Sequence, residues 1–154
     1  MHALRFERDA AHAPRVIAFL NAHLADMRRI SPPDSVHALD TAQLRQPDIR
    51  FWTAWAHDEL VGSCALKTLE RNHHELKTMR VDARHRGTGV AQQLLDFVLE
   101  QARRSRAQRI SLETGSHEFF LPARRLYARN GFVPCGPFGS YQPDPHSCFM
   151  HRAL

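Results

Sequence analysis

The stretch "VDARHRGTGVAQQLLDFV", Val81 to Val98, sets two glycines and three basic residues at one junction between a strand-like and a helix-like segment. An ordinary turn needs one glycine. Here Gly87 and Gly89 bracket Thr88, directly after Arg84, His85 and Arg86. A helix N-terminus carries unpaired backbone N–H groups and the positive end of the helix dipole. Glycines let those groups approach a phosphate with no side chain in the way, and Arg86 adds charge at the same place. The stretch therefore reads as a pyrophosphate cradle, with a plain strand-to-helix turn as the alternative. Two better-known phosphate motifs do not fit. No GxxxxGK[ST] run exists, and GxGxxG fails because its last glycine position holds Gln92.

Outward from the junction, "ELKTMRV", Glu75 to Val81, reads as the strand that feeds it, after a turn at Asn72. The helix that leaves it, from about Gly89 to Arg104, shows an apolar face of Ala91, Leu94, Leu95, Val98 and Ala102. Upstream, "IRFWTAWA" and "LVGSCALKTL" are rich in β-branched, aromatic or alternating apolar residues, and "HDE" joins them as a hairpin. Nearer the N-terminus, "LRFERDA" alternates as a first strand, and Ile17, Leu20, Leu24 and Met27 repeat at helical spacing. The paired prolines of "SPPDSVHALD" end that helix, and Asp40 can cap a short helix over Thr41 to Gln46. Downstream, "RISLETG" predicts a strand. "PARRLYARNGF" predicts a helix with Pro122 near its first turn and Gly131 as its stop. Short strands around Phe132 to Pro134 and Cys148 to Arg152 flank the irregular "CGPFGSYQPDPHS". The order β-α-α-β-β-β-α-β-α-β-β describes one α+β domain over residues 1–154, built on a mixed sheet.

Composition bounds the function. A chain of 154 residues fits one domain with one sizeable core, and 43% hydrophobic with 24% charged residues is ordinary for a soluble globular protein. No apolar run approaches the roughly 20 residues that span a bilayer. "MHALRFERDA" has no apolar signal core, so a cytoplasmic protein without a membrane partner is expected. Cys64, Cys135 and Cys148 are odd in number and lack CxxC spacing, which predicts inert thiols. A net charge of +5 fits nucleic acid or a small anionic cofactor. Arg103, Arg104, Arg106 and Arg109 gather at a predicted helix end, where cations complement the dipole, and few aromatics interleave with the charge. No nucleic-acid partner is expected. His74-Glu75 and His117-Glu118 do not open an HExxH motif, since the fifth positions hold Thr78 and Leu121, so no metal is expected.

The junction resembles the acetyl-CoA-binding motif of the GNAT acyltransferases, [QR]xxGx[GA]. Arg86, Gly89 and Ala91 occupy its defined positions and Gly87 completes the RGxGxA form. "VGSCAL" is similar to the family's third-strand signature, and "LYARNGF" to its later motif of a tyrosine four residues before Gly-Phe. "ELKTM", "LETG" and the closing Phe149-Met150 resemble a bacterial single-domain subgroup of that family. The resemblance implies an α/β sandwich: a mixed, mostly antiparallel sheet of about seven strands flanked by about four helices. It implies acetyl-CoA as co-substrate, with the backbone of Met79, Arg80 and Val81 pairing with the pantetheine arm. The loop of Arg86, Gly87, Thr88, Gly89, Val90 and Ala91 would hold the pyrophosphate. The acetyl group would sit where the fourth and fifth strands splay apart. One departure stands out: many members carry an asparagine seven residues before the tyrosine, and this chain has Phe120 there.

Acetyl transfer to an amine requires a base for the amine, a polarised carbonyl and an acid for the leaving thiolate. The resemblance assigns the acid to Tyr127; the alternative is a packing tyrosine. Glu75, eleven residues before Arg86, matches the base of some relatives, and Glu113 on the following strand competes for that role. Loops near His37 and His146, with Tyr141 and Asp144, are candidates to line the acceptor pocket. The expected acceptor is a primary amine on a small molecule, met directly in a ternary complex. A protein N-terminus or lysine, and a non-catalytic acyl-CoA-binding module, are the alternatives. A homodimer stays open, since it is common in the family.

Overall fold

The computed structural model describes residues 3–154; Met1 and His2, which begin the charged N-terminal stretch, lie outside them. The strands are β1 (Arg5–Arg8), β2 (Ile49–Ala56), β3 (Glu59–Glu70), β4 (His73–Val81), β5 (Arg109–Gly115), β6 (Val133–Cys135) and β7 (Ser147–Ala153). The helices are α1 (Pro14–Ile30), α2 (Thr41–Leu44), α3 (Val90–Arg104) and α4 (Leu121–Arg129). Element order agrees with the sequence pattern. Several boundaries shift by a residue or two, and two of the shifts have a visible cause. β4 begins at His73 because the turn consumes only Arg71 and Asn72, and His73 pairs with Glu70. The capped helix after Asp40 ends at Leu44 instead of Gln46; Asp40 and Gln43 form a reciprocal capping box there.

All seven strands form one sheet in the order β1-β2-β3-β4-β5-β7-β6. Every neighbouring pair is antiparallel except β4 with β5. α3 packs on one face: Val90, Leu94, Leu95, Val98, Leu99 and Ala102 are buried there with Val61, Cys64, Leu66, Leu76, Ile110 and Leu112. Gly62 makes this packing close, because a Cβ on it would stand 2.7 Å from Leu94 Cδ1 and 2.9 Å from the Arg80 carbonyl oxygen. α1 covers the other face, where Val16 and Leu20 meet Phe51, Leu60 and Ala65.

The register of β4 breaks once. Lys77 pairs with Ala65 and Arg80 with Ser63, so Thr78 and Met79 oppose a single residue of β3. Thr78 has φ of 54°, a conformation that β-branched residues avoid. Such a bulge inverts the alternation of side chains along the strand. Before it, even-numbered Leu76 joins the α3 layer; after it, odd-numbered Met79 and Val81 do.

Candidate active site

β4 and β5 pair only from His73 opposite Arg109 to Leu76 opposite Leu112. β5 then continues beside β7 to Gly115, while β4 turns away through its bulge. The splay opens a cavity of about 750 Å3. Leu126 and Tyr127, which pack in the α3 layer, line it from one face. Glu75 and Lys77, which alternate with Leu76 and so stand on the opposite face, line it too, as do His37 and Ala38. The cavity is thus lined from both faces of the sheet.

At one end lies the glycine junction. Gly87 and Gly89 adopt left-handed φ of 75° and 87°, and the position of a Cβ on Gly87 is open space. No side chain caps the start of α3, so its first N–H groups are free for an anion. Arg86 is exposed and lies 5.6 Å over the Phe119 ring. Arg86, Gly87, Gly89 and Ala91 line the cavity, as do Met79, Arg80 and Val81. Two residues of the predicted loop do other work: the Thr88 hydroxyl donates to the His85 carbonyl, and Val90 is buried in the core. The Arg80 guanidinium donates to Asp26 of α1 at 2.9 Å and lies over Phe19, so its charge is taken up by the scaffold. Behind the loop, Glu59, Asp82 and His85 bring ligand-type atoms close together. Arg84 already bridges the two carboxylates at 3.0 and 2.9 Å, which anchors the loop to the β2–β3 hairpin.

The other end is polar and buried. Glu75, third residue of β4, is only 2% exposed. Its Oε2 accepts from Lys77 Nζ at 3.1 Å and from the Tyr141 hydroxyl at 2.5 Å. Lys77 also donates to the Tyr141 oxygen at 2.9 Å. Glu113 lies on the adjacent strand and lines the same cavity. Burial pushes its carboxyl up to about 7; the Ser147 hydroxyl and the Lys77 charge oppose the rise, and the charges of Glu75 and Asp144 add to it. Two loops meet above this end. The Ser35 hydroxyl donates to Asp144 at 2.5 Å, and His37 contacts Tyr141 edge-on at 5.0 Å. Burial and the Lys77 charge lower the pKa of His37; burial and Arg80 lower that of His23 to about 4.

Tyr127 is 5% exposed, lies 5.6 Å from Phe132, and has its phenol pKa raised by burial. Phe120 packs so closely on the end of β5 that a Cβ on Gly115 would meet its ring at 2.2 Å. An apolar wall therefore stands where the motif elsewhere has an amide. His73 meets Ser111 at 2.6 Å and Arg109 at 3.3 Å, a local hydrogen-bonding role. Lys77 was not among the residues singled out from sequence. The signal existed: Glu75 and Lys77 are two apart on a strand and must share a face.

Comparison with known proteins agrees with this geometry. The Acetyltransferase (GNAT) family model matches residues 16–132. An N-acetyltransferase of Bacillus subtilis strain 168, YsnE, is 48% identical over 140 residues, covering 91% of this chain and 93% of its own. A crystal structure from Klebsiella pneumoniae assigned to the acyl-CoA N-acyltransferases superposes with a TM-score of 0.82 at 30% identity, over 98% of this chain and 97% of that one. A Bacillus subtilis acetyltransferase solved in complex with CoA shares the fold, at a TM-score of 0.69 and 20% identity over 99% of both chains. A seven-stranded sheet split between β4 and β5, a glycine-arginine loop at the start of α3 and these relatives lead to one conclusion: the chain belongs to the GNAT family of acetyltransferases.

Proposed function

We propose that the protein moves an acetyl group from acetyl-CoA to a primary amine of a small molecule, directly, within a ternary complex. The observation that carries this is the cavity lined from both faces of the sheet, with an anion cradle at one end and buried acid–base groups at the other. The cradle fits a pyrophosphate: an uncapped helix start, two left-handed glycines and an exposed arginine converge on it. A small acceptor is favoured because the Ser35–Asp144 and His37–Tyr141 contacts close the acceptor end, where a peptide would need an open groove.

Bound acetyl-CoA supplies a thioester carbonyl as electrophile. Within the chain, Glu113 takes the proton from the incoming ammonium, since its raised pKa suits exchange near neutrality. Glu75 holds Lys77 and Tyr141 in place instead, its Oε2 being shared between them. Tyr127 retains its phenolic proton because burial raises its pKa; as the C–N bond forms and the C–S bond breaks it passes that proton to the departing sulfur, and the second proton shed by the nitrogen restores the phenol. Direct transfer is favoured because Cys64, the thiol beside this region, is buried in the core with its pKa pushed up to about 12.

The test is thiol release from acetyl-CoA over small primary amines and over peptides bearing a free N-terminus or lysine. Release with small amines is expected. Release with the peptides alone would overturn the small-molecule assignment.

A further inference from the structure

We infer that the acceptor is an amine with no carboxylate beside its amino group, held in its ammonium form by Glu113. This rests on the acetyl-transfer reading for where the acceptor sits.

The inference comes from the charge that surrounds that end of the cavity. Glu75, Glu113 and Asp144 interact there with one ammonium, Lys77. Of the imidazoles at that end, His37 has a lowered pKa and stays neutral, and His146 acts on Asp144 in the loop above. The cations already have partners. Lys77, with its side chain 9% exposed, is tied to Glu75 and Tyr141, and its charge also lies 5.6 Å from the Tyr141 ring. Arg80 is tied to Asp26. Asp144 is held by the Ser35 hydroxyl and the His146 N–H. Among the described residues, no ion pair reaches Glu113. With the Ser147 hydroxyl beside it and no cation on it, it is the carboxylate left to meet an incoming cation.

A buried carboxylate without a cation is costly, and an ammonium brought beside it gains on two counts: it relieves that cost and satisfies its own donors. A second carboxylate on the acceptor would lie close to Glu113 in a poorly screened site, where like charges repel strongly. Lys77 offsets only part of this, because its charge is already shared with Glu75 and two of its three donors are taken by Glu75 and Tyr141. An amine therefore has the advantage over the amino acid that differs from it only by an α-carboxylate.

The experiment uses matched pairs whose amino acid has a single amine: phenethylamine with phenylalanine, agmatine with arginine, tyramine with tyrosine. Binding of each to the full-length protein saturated with CoA is measured by calorimetry, a readout that needs no turnover. The decarboxylated member should bind about tenfold or more tightly in every pair that binds. Glu113→Gln should shrink that ratio towards one, and CoA affinity of the variant shows that it is folded. Equal or tighter binding of the amino acids, an unchanged ratio in Glu113→Gln, or no binding by any amine would each overturn the inference. Amine binding without thiol release would leave it standing and overturn the transferase reading instead.

Discussion

The Ser63 hydroxyl donates to the carbonyl oxygen of Thr78 at 2.8 Å, tying the middle of β3 to the residue of β4 with positive φ. Both residues are buried. Strained backbone of this kind persists only where its surroundings hold it. The bulge in turn decides that Met79 and Val81 face the α3 layer while Arg80 faces α1.

Removing that bond should be felt as stability. Ser63→Ala leaves a buried carbonyl without its partner, at about 1–3 kcal/mol. Thermal unfolding should shift down by about 2–4 °C per kcal/mol for a chain of this size. Thr78→Gly should be far milder than its loss of side chain suggests, because glycine adopts positive φ without strain. An unchanged melting temperature in Ser63→Ala would mean that the bulge holds without the hydroxyl.

The two cradle glycines should behave differently. Gly87→Ala meets open space, so its penalty is conformational only, and acetyl-CoA binding should weaken modestly. Gly89→Val adds a branched side chain at φ of 87° beside the helix start, where the phosphate would approach. Its affinity for acetyl-CoA should fall by well over tenfold, roughly 1.4 kcal/mol or more, by calorimetry. Wild-type affinity in folded Gly89→Val would remove the cradle.

Arg86 is exposed, so it should act through long-range attraction to phosphate. Arg86→Ala should weaken acetyl-CoA binding more at low salt than at high salt, with little change in melting temperature. Equal losses at both salt levels would point to its packing on Phe119 instead.

The titration of Glu113 has a definite sign. Its carboxyl is raised from 4.5 to about 7, so the folded protein keeps a proton that the unfolded chain has lost between those values. That contribution to stability is present at low pH and declines as pH rises through the folded value. Glu113→Gln stays neutral throughout and should gain in melting temperature relative to wild type as pH climbs from 4.5 to about 7, then hold that gain at higher pH. In kinetics, Glu113→Gln should lose the acidic limb of kcat/KM centred near 7, and Glu75→Gln should keep it. The reverse outcome assigns the base to Glu75.

Tyr127→Phe removes a proton donor and no packing. It should lower kcat about 10²-fold across the whole pH range and leave acetyl-CoA affinity nearly intact. Wild-type turnover would reduce Tyr127 to its contact with Phe132.

The fold was largely legible because its signals are local. Alternation in β2 and β3, the apolar face of α3, and Gly131 with φ of 87° just past α4 each read from a few neighbouring residues. The glycine loop at the start of α3 was legible for the same reason. The acceptor end was not. Lys77 and Tyr141 are 64 residues apart, and Ser35 and Asp144 are 109 apart, and no local pattern announces either pairing. The bulge at Thr78 hides as well, since nothing in "ELKTMRV" breaks the alternation that it inverts.

The brevity of the β4–β5 pairing, from His73–Arg109 to Leu76–Leu112, divides the sheet mechanically. β1 to β4 form one antiparallel plate and β5 to β7 another, joined along a short parallel seam. The cavity straddles that seam, so whatever fills it acts as a brace between the plates. Amide hydrogen exchange at Leu112 to Gly115 and at Lys77 to Met79 should then slow together when CoA binds, as the coordinated stiffening of a joint.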